Sequence, residues 1–292
     1  MPRGIGFIGL GVMGSAMSGH LLEAGFPVIG YDVNPDRLRE HHDRGGLTAN
    51  SVREVSERSD IVLTSLPSAS AFTDVIDDLS RDQIVLDTST LPLETKLLGR
   101  RKLGAQLLDC PVSGTGAQAR TKDLVVFVSG DDAEAKQRVG VVLDAFARSQ
   151  HDVGEYGNGT KTKLVANLLV AIHNLASAEA LLLARRAGLE PELTLRAIAD
   201  GAGNSRMLEI RGPTMLSGQY LPATMRVDLF RKDLDIIASF ADSLGSPTPL
   251  FSTSARFYHT AMAQGRGQQD TACLFAVLES AAPHRPDEVG QP

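Results

Sequence analysis

Gly4-Ile-Gly-Phe-Ile-Gly9-Leu-Gly11-Val-Met-Gly14 is the stretch that decides the fold of this chain. It is apolar from Gly4 to Leu10 with glycines at its end. From Val12 to Ala24 the spacing turns helical, through Met13, Met17, Leu21 and Leu22. The reading is strand, tight turn, helix. Pro27-Val-Ile-Gly-Tyr31 follows as a second strand that ends in Asp32. A glycine turn alone occurs in many folds; one that follows a strand, opens a helix and has an acid closing the next strand is a dinucleotide fingerprint.

Each glycine has its own task. The first makes the turn, the second lets backbone approach a pyrophosphate, and the third lets helix pack on strand. The helix N-terminus adds unpaired N–H groups and a positive dipole end. Gly9, Leu10, Gly11, Val12, Met13 and Gly14 are therefore the candidate cofactor cradle. Asp32 is placed to accept hydrogen bonds from the adenosine ribose and to repel a 2′-phosphate, so NAD is favoured over NADP. Arg37 reads two ways, as an answer to a 2′-phosphate, which keeps NADP possible, or as a solvated helix residue after the Asn34-Pro35-Asp36 turn.

Further apolar strands, at 61–65, 84–87, 106–109 and 124–129, alternate with helical patterns, which implies parallel strands joined by crossover helices. Ligands of such a sheet sit beyond the carboxyl ends of its strands. The loops there read Leu66-Pro67-Ser68, Asp87-Thr-Ser89-Thr90 and Asp109-Cys-Pro-Val-Ser113-Gly114-Thr115-Gly116. Hydroxyls and glycine N–H groups converging on one sheet edge suit a cofactor and a small polar substrate.

Composition narrows the alternatives. At 292 residues the chain has the length of two domains, and a net charge of −6 without a basic block argues against a nucleic-acid partner. Cys110 and Cys273 form neither a CxxC nor a Cys/His cluster, so neither a disulfide framework nor a metal site is expected, and a reducing, cytoplasmic setting fits. The opening residues lack the pattern of a signal peptide. No run of 18 apolar residues is present, so no membrane span is expected.

Gly157-Asn-Gly159-Thr-Lys-Thr-Lys163-Leu-Val-Ala-Asn167 then runs to Gly188 without another Gly or Pro. Residues 160–187 read as one helix of about 28 residues and ~40 Å, long enough to join two domains. Lys163 and Asn167, four apart, stack an ammonium and an amide on one face. Beyond Gly188 the strand signals stop. Helices are expected at 191–200, 225–244, 249–264 and 270–280, with Pro191 and Pro249 near starts, Gly188, Gly201, Gly245 and Gly265 at stops, and Asp270 as an N-cap. The expected fold is α/β, a Rossmann-type doubly wound sheet (1–159), a long interdomain helix (160–187) and an all-α C-terminal domain (188–292) with a frayed tail from 283.

With these motifs in order, the chain resembles the β-hydroxyacid dehydrogenase family along nearly its whole length. Phe7 to Gly14 resembles the family's cofactor turn, Asp109 to Gly114 its substrate loop, Gly157 to Asn167 its catalytic segment, and Lys232-Asp233-Leu234 a later segment whose lysine reaches the cofactor region. The resemblance implies Lys163 as catalytic lysine and Asn167 as its helper. It further implies Ser113, Gly114 and Thr115 as substrate binders, Leu66, Pro67, Thr90 and Lys232 as cofactor contacts, and a homodimer or homotetramer. Thr115, Gln118 and Lys122 stand where the family commonly has glycines, Ala166 replaces the first of its paired asparagines, and Ala71 an asparagine that some members carry. Imine reductases share the architecture but typically lack the lysine, and Lys163 argues against that branch.

Hydride chemistry at an alcohol needs a group that handles the hydroxyl proton. Lys163 suits it, as neutral amine in oxidation or as ammonium in reduction. An unperturbed lysine titrates near ~10.4, so the base role requires burial or neighbouring cations such as Lys161 and Lys232. His173, ten positions on, points off that face. Cys110 reads as buried packing. The expected activity is oxidation of a small 3-hydroxy acid with NAD. Its rivals are an NADPH-dependent semialdehyde reductase and a catalytically silent NAD-binding or scaffold protein.

Overall fold

A computed structural model describes residues 4–281; the expected frayed tail lies outside the described residues. By internal contact the chain forms two compact units, 1–166 and 167–292.

The first unit is built on a six-stranded sheet. Its strands are β1 (Gly4–Ile8), β2 (Val28–Tyr31), β3 (Leu47–Thr48), β4 (Ser59–Thr64), β5 (Ile84–Asp87) and β6 (Leu107–Asp109). All pair in parallel, in the order β3-β2-β1-β4-β5-β6. The crossover helices are α1 (Val12–Glu23), α2 (Pro35–Asp43), α3 (Val52–Arg58), α4 (Ala69–Ile76) and α5 (Leu93–Leu103). The strands read as continuous apolar runs because both faces are covered. Side chains alternate across the sheet: Phe7, Leu63, Leu86 and Leu108 enter one core, and Ile8, Val62, Val85 and Leu107 the other. Burying each is worth roughly 1.5–3 kcal/mol. The strand order reverses between β1 and β4, so the loops after these two strands flank the switch point, where such sheets bind ligands.

The strand expected at 124–129 does not extend this sheet. Only Cys110 and Pro111 separate β6 from β7 (Val112–Ser113), too few for a parallel crossover of about a dozen residues. The chain instead starts a second sheet, in which β8 (Val125–Val128) runs antiparallel to β7 and parallel to β9 (Ser149–Asp152). Ser113 therefore lies at a strand end rather than in a loop. Helices α6 (Gly116–Arg120) and α7 (Ala133–Asp144) complete this part.

Helix α8 (Asn158–Arg186) contributes to both units, and α9 (Pro191–Ala199), α10 (Arg206–Ser217), α11 (Val227–Ser243), α12 (Pro249–Ala263) and α13 (Leu274–Ala281) follow. Pro191 and Pro249 occupy first-turn positions, and Gly188, Gly245 and Gly265 take positive φ at helix ends as expected. Gly201 does not. α10 was not expected, because Pro213 falls inside it; the Ser205 hydroxyl caps its start by accepting from Leu208 N–H. The second unit packs Phe230 of α11 on Tyr258 of α12, with ring centroids 5.4 Å apart. Arg211 and Asp270 form a buried ion pair at 2.8 Å, and Asp270, the expected N-cap, accepts from Ala272 N–H.

By length and composition α8 is apolar enough to cross a membrane, although it lacks an uninterrupted apolar run. Its fully buried Asn174 donates to Tyr258 Oη at 3.0 Å and to the Thr271 carbonyl at 2.9 Å, which is how a polar residue sits in a core helix.

Candidate active site

The glycine turn after β1 is built for close approach. Gly9 has φ +89°, and a Cβ there would lie 2.4 Å from the Ser65 carbonyl oxygen. A Cβ on Gly14 would fall 1.9 Å from the Gly9 carbonyl and 2.9 Å from Phe7, so helix and strand touch through this glycine. Gly11 differs: its only neighbour within 4 Å is Arg37 Nη1 at 3.8 Å, leaving open space at the turn. α2, α3, α4, α6 and α7 each have a side chain capping their first turn, whereas α1 has none. Its first N–H groups and positive dipole end suit a pyrophosphate, and these residues fit a dinucleotide.

Asp32 is locked onto this turn. Its Oδ2 accepts from Leu10 N–H at 2.7 Å and its Oδ1 from Asn34 N–H at 2.8 Å. Arg37 is half-buried and donates from Nη1 to the Leu10 carbonyl at 2.9 Å. Leu10 is thus held at both its N–H and its carbonyl. Val12 and Met13 start α1 beside it, Val12 62 % exposed.

The loop after β4 is held from β5. Leu66 N–H donates to Ser89 Oγ at 2.8 Å, and Ser89 Oγ donates to Asp87 Oδ1 at 2.6 Å. Pro67 is exposed and Thr90 half-buried on the same edge. Ala71, where some relatives carry asparagine, donates its N–H to the capping Ser68 Oγ.

Thr115 and Gln118, two of the departures from glycine, each have a structural task. Thr115 caps α6 in a reciprocal box: Gln118 N–H approaches Thr115 Oγ1 at 3.5 Å, and Thr115 N–H donates to Gln118 Oε1 at 3.0 Å. Both polar groups of Thr115 are occupied there. Ser113 Oγ, at the end of β7, and Gly114 N–H are the candidate donors that precede it. Gln118 also donates to Asp123 Oδ2 at 3.0 Å, and Asp123 Oδ1 accepts from Arg148 Nε at 2.8 Å. Lys122 adopts φ +58°, the left-handed region that favours glycine, and its side chain is exposed. A Cβ on Gly116 would lie 2.5 Å from Val12 Cγ1, so the start of α6 abuts the glycine turn.

Lys163 and Asn167 are 7 % and 4 % exposed, unusual burial for these residue types. Lys161 is exposed and donates to Asn158 Oδ1 at 3.0 Å. In the second unit Asn167 Nδ2 donates to Asp233 Oδ2 at 3.0 Å, and Lys232 Nζ lies 3.6 Å from Asp233 Oδ1. Asp233 orients the amide and leaves Asn167 Oδ1 as its acceptor. Sequence reasoning missed this role, although Asp233 stands in the quoted Lys232-Asp233-Leu234 segment. It also missed Lys96, which is fully buried between Asp87 and Asp109; no sequence pattern marks a lysine as buried. His173 is half-buried and its carbonyl accepts from Ser177 Oγ, with no part in this group. Burial pushes the Cys110 thiol well above its ordinary range, which suits packing and not nucleophilic attack.

Comparison with known proteins agrees with this geometry. Residues 4–157 match the family model described as the NAD binding domain of 6-phosphogluconate dehydrogenase, and residues 157–278 the one described as NAD-binding of NADP-dependent 3-hydroxyisobutyrate dehydrogenase. The chain is 34 % identical to an L-threonate dehydrogenase of Cupriavidus necator, covering 95 % of this chain and 97 % of that protein. It is 32 % identical to a 2-hydroxy-3-oxopropionate reductase of Escherichia coli, covering 96 % and 99 %. A crystal structure of 3-hydroxyisobutyrate dehydrogenase from Salmonella typhimurium superposes with a TM-score of 0.82 at 30 % identity, covering 94 % of this chain and 99 % of that one. The chain therefore belongs to the β-hydroxyacid dehydrogenase family, as an oxidoreductase that acts on hydroxy acids with NAD or NADP.

Proposed function

We propose that this chain oxidises a small 3-hydroxy acid, 3-hydroxyisobutyrate-like in size, to its semialdehyde with NAD, and that Lys163 handles the alcohol proton. The observation that carries the reading is a lysine and an asparagine buried four residues apart on one helix. NAD, when bound, takes up the hydride from the alcohol carbon. Lys163 then serves as the amine that accepts the hydroxyl proton within hydrogen-bond reach. Asn167 Oδ1, with its amide anchored on Asp233, accepts from the reacting hydroxyl or from the lysine itself. Ser113 Oγ and Gly114 N–H donate to the substrate carboxylate.

Asp32 supports NAD over NADP. Its carboxylate is fixed beside the turn by two backbone donors, and a 2′-phosphate there meets like charge. Arg37 spends one Nη1 donor on the Leu10 carbonyl, which orients it along the turn. The protein works in the cytoplasm as a homo-oligomer in this reading; two free, buried cysteines suit a reducing compartment.

A panel of three- to five-carbon hydroxy acids, including L-threonate and 3-hydroxyisobutyrate, tests the activity by NADH absorbance. Turnover with NAD exceeding turnover with NADP is expected. Preference for NADP would favour the reductase reading. NAD binding without turnover of any member would favour a silent module.

A further inference from the structure

We propose that Lys96 is a positioning residue, which through Asp87 and Asp109 sets the cofactor-side loop at Leu66 and the start of the Lys163 helix in one fixed arrangement. The proposal rests on the reading of Lys163 as the proton-handling group.

The cluster lies wholly within the first unit. Lys96, Asp87 and Asp109 are each fully buried. Lys96 Nζ, from α5, lies 2.6 Å from Asp87 Oδ2 at the end of β5 and 2.9 Å from Asp109 Oδ1 at the end of β6. Burial alone would lower the Lys96 pKa, but Asp109 and Asp87 together outweigh it and hold the ammonium above the ordinary lysine range. A buried ion pair is weak evidence for stability, because a well-packed apolar group of the same volume serves as well. Where the remaining carboxylate bonds go is more informative.

Asp87 Oδ1 accepts from Ser89 Oγ at 2.6 Å, from Ser89 N–H at 3.1 Å and from Thr64 Oγ1 at 2.8 Å. Ser89 Oγ in turn accepts from Leu66 N–H, in the loop proposed to meet the cofactor. Asp109 Oδ2 accepts from Thr160 N–H at 2.7 Å, and Asp109 Oδ1 from Thr160 Oγ1 at 2.9 Å. Ser129 Oγ donates to the Asp109 carbonyl and accepts from Gly159 N–H. The first N–H groups of α8 are thus satisfied by the end of β6 and by Ser129, far away in sequence. A Cβ on Gly159 would lie 2.5 Å from the Asp109 carbonyl oxygen, so the helix start is pressed directly onto that strand end. Lys163 lies three residues after Thr160, about one turn on. One ammonium therefore joins an arm to the cofactor loop and an arm to the lysine helix.

Kinetics with NADH fluorescence titration and thermal melts separate the arms, with Lys163→Ala alongside as reference. Ser89→Ala is expected to weaken NADH binding about tenfold with little change in kcat, and Thr160→Val to lower kcat about tenfold with NADH affinity kept. Thr160→Ser, which keeps the hydroxyl, restores kcat to within about twofold of wild type. Lys96→Met is expected to show both losses. Folded Ser89→Ala and Thr160→Val proteins with wild-type kinetics would overturn the proposal, as would variants whose melting points fall while both constants stay. If Lys163→Ala itself turns over normally, the reading of Lys163 fails, whatever the arms show.

Discussion

Asp32 and Arg37 hold Leu10 at its N–H and at its carbonyl, so the glycine turn is shaped by residues twenty or more positions away. His41 offers a different residue-scale consequence. It is 4 % exposed, its Nε2 makes no hydrogen bond, and Gly46 and Gly30 are glycine beside its ring, where a Cβ would come within 2.2 and 2.7 Å. Burial lowers its pKa below the ordinary histidine value. The unfolded chain then binds more protons at this site, and stability falls as pH drops through about 6.5 towards the folded value. Urea midpoints should decline less in His41→Leu than in wild type between about pH 7.5 and about pH 5.5; equal declines would contradict this. Asp32, Lys163 and Asn167 are legible in the sequence as candidates because each stands at a fixed offset from glycine landmarks. Lys96 and Asp233 were not, because nothing local distinguishes a buried, paired charge from a solvated one.

At the scale of elements, the buried parallel strands were legible as apolar runs, and α8 as an uninterrupted stretch between glycines. β9, with sequence Ser-Gln-His-Asp, is too polar to read as a strand and is defined by pairing with β8. α10 hides behind Pro213. Thr115 was read as a substrate binder, while its capping of a five-residue helix depends on Gln118 three positions on. α8 also shows what the fold leaves uncovered. Val165, Leu169 and Leu183 are 57 %, 45 % and 72 % exposed along it, and Leu193 of α9 58 %. Exposed large apolar side chains spaced along one helix suit burial against another subunit. Light scattering of the protein recovered from the soluble cytoplasmic fraction is expected to give a multiple of 31.1 kDa. A monomer mass would remove the oligomer, and recovery only with membranes would remove the proposed location.

For the whole molecule, the candidate residues fall in both compact units. The first holds the glycine turn, Asp32, the 109–116 segment and Lys163; the second holds Asn167 on Asp233, with Lys232 beside it. The fold class and the family were legible from four ordered motifs, because each motif is a backbone requirement as much as a chemical one. The second small sheet was not, since a two-residue link between strands shows no periodicity. Lys163→Ala tests the central claim most directly, with NADH titration and turnover of the best hydroxy acid measured on the same preparation. NADH affinity is expected to stay within about twofold of wild type and turnover to fall by roughly a hundredfold or more. Turnover near the wild-type rate in a protein that still binds NADH would contradict it.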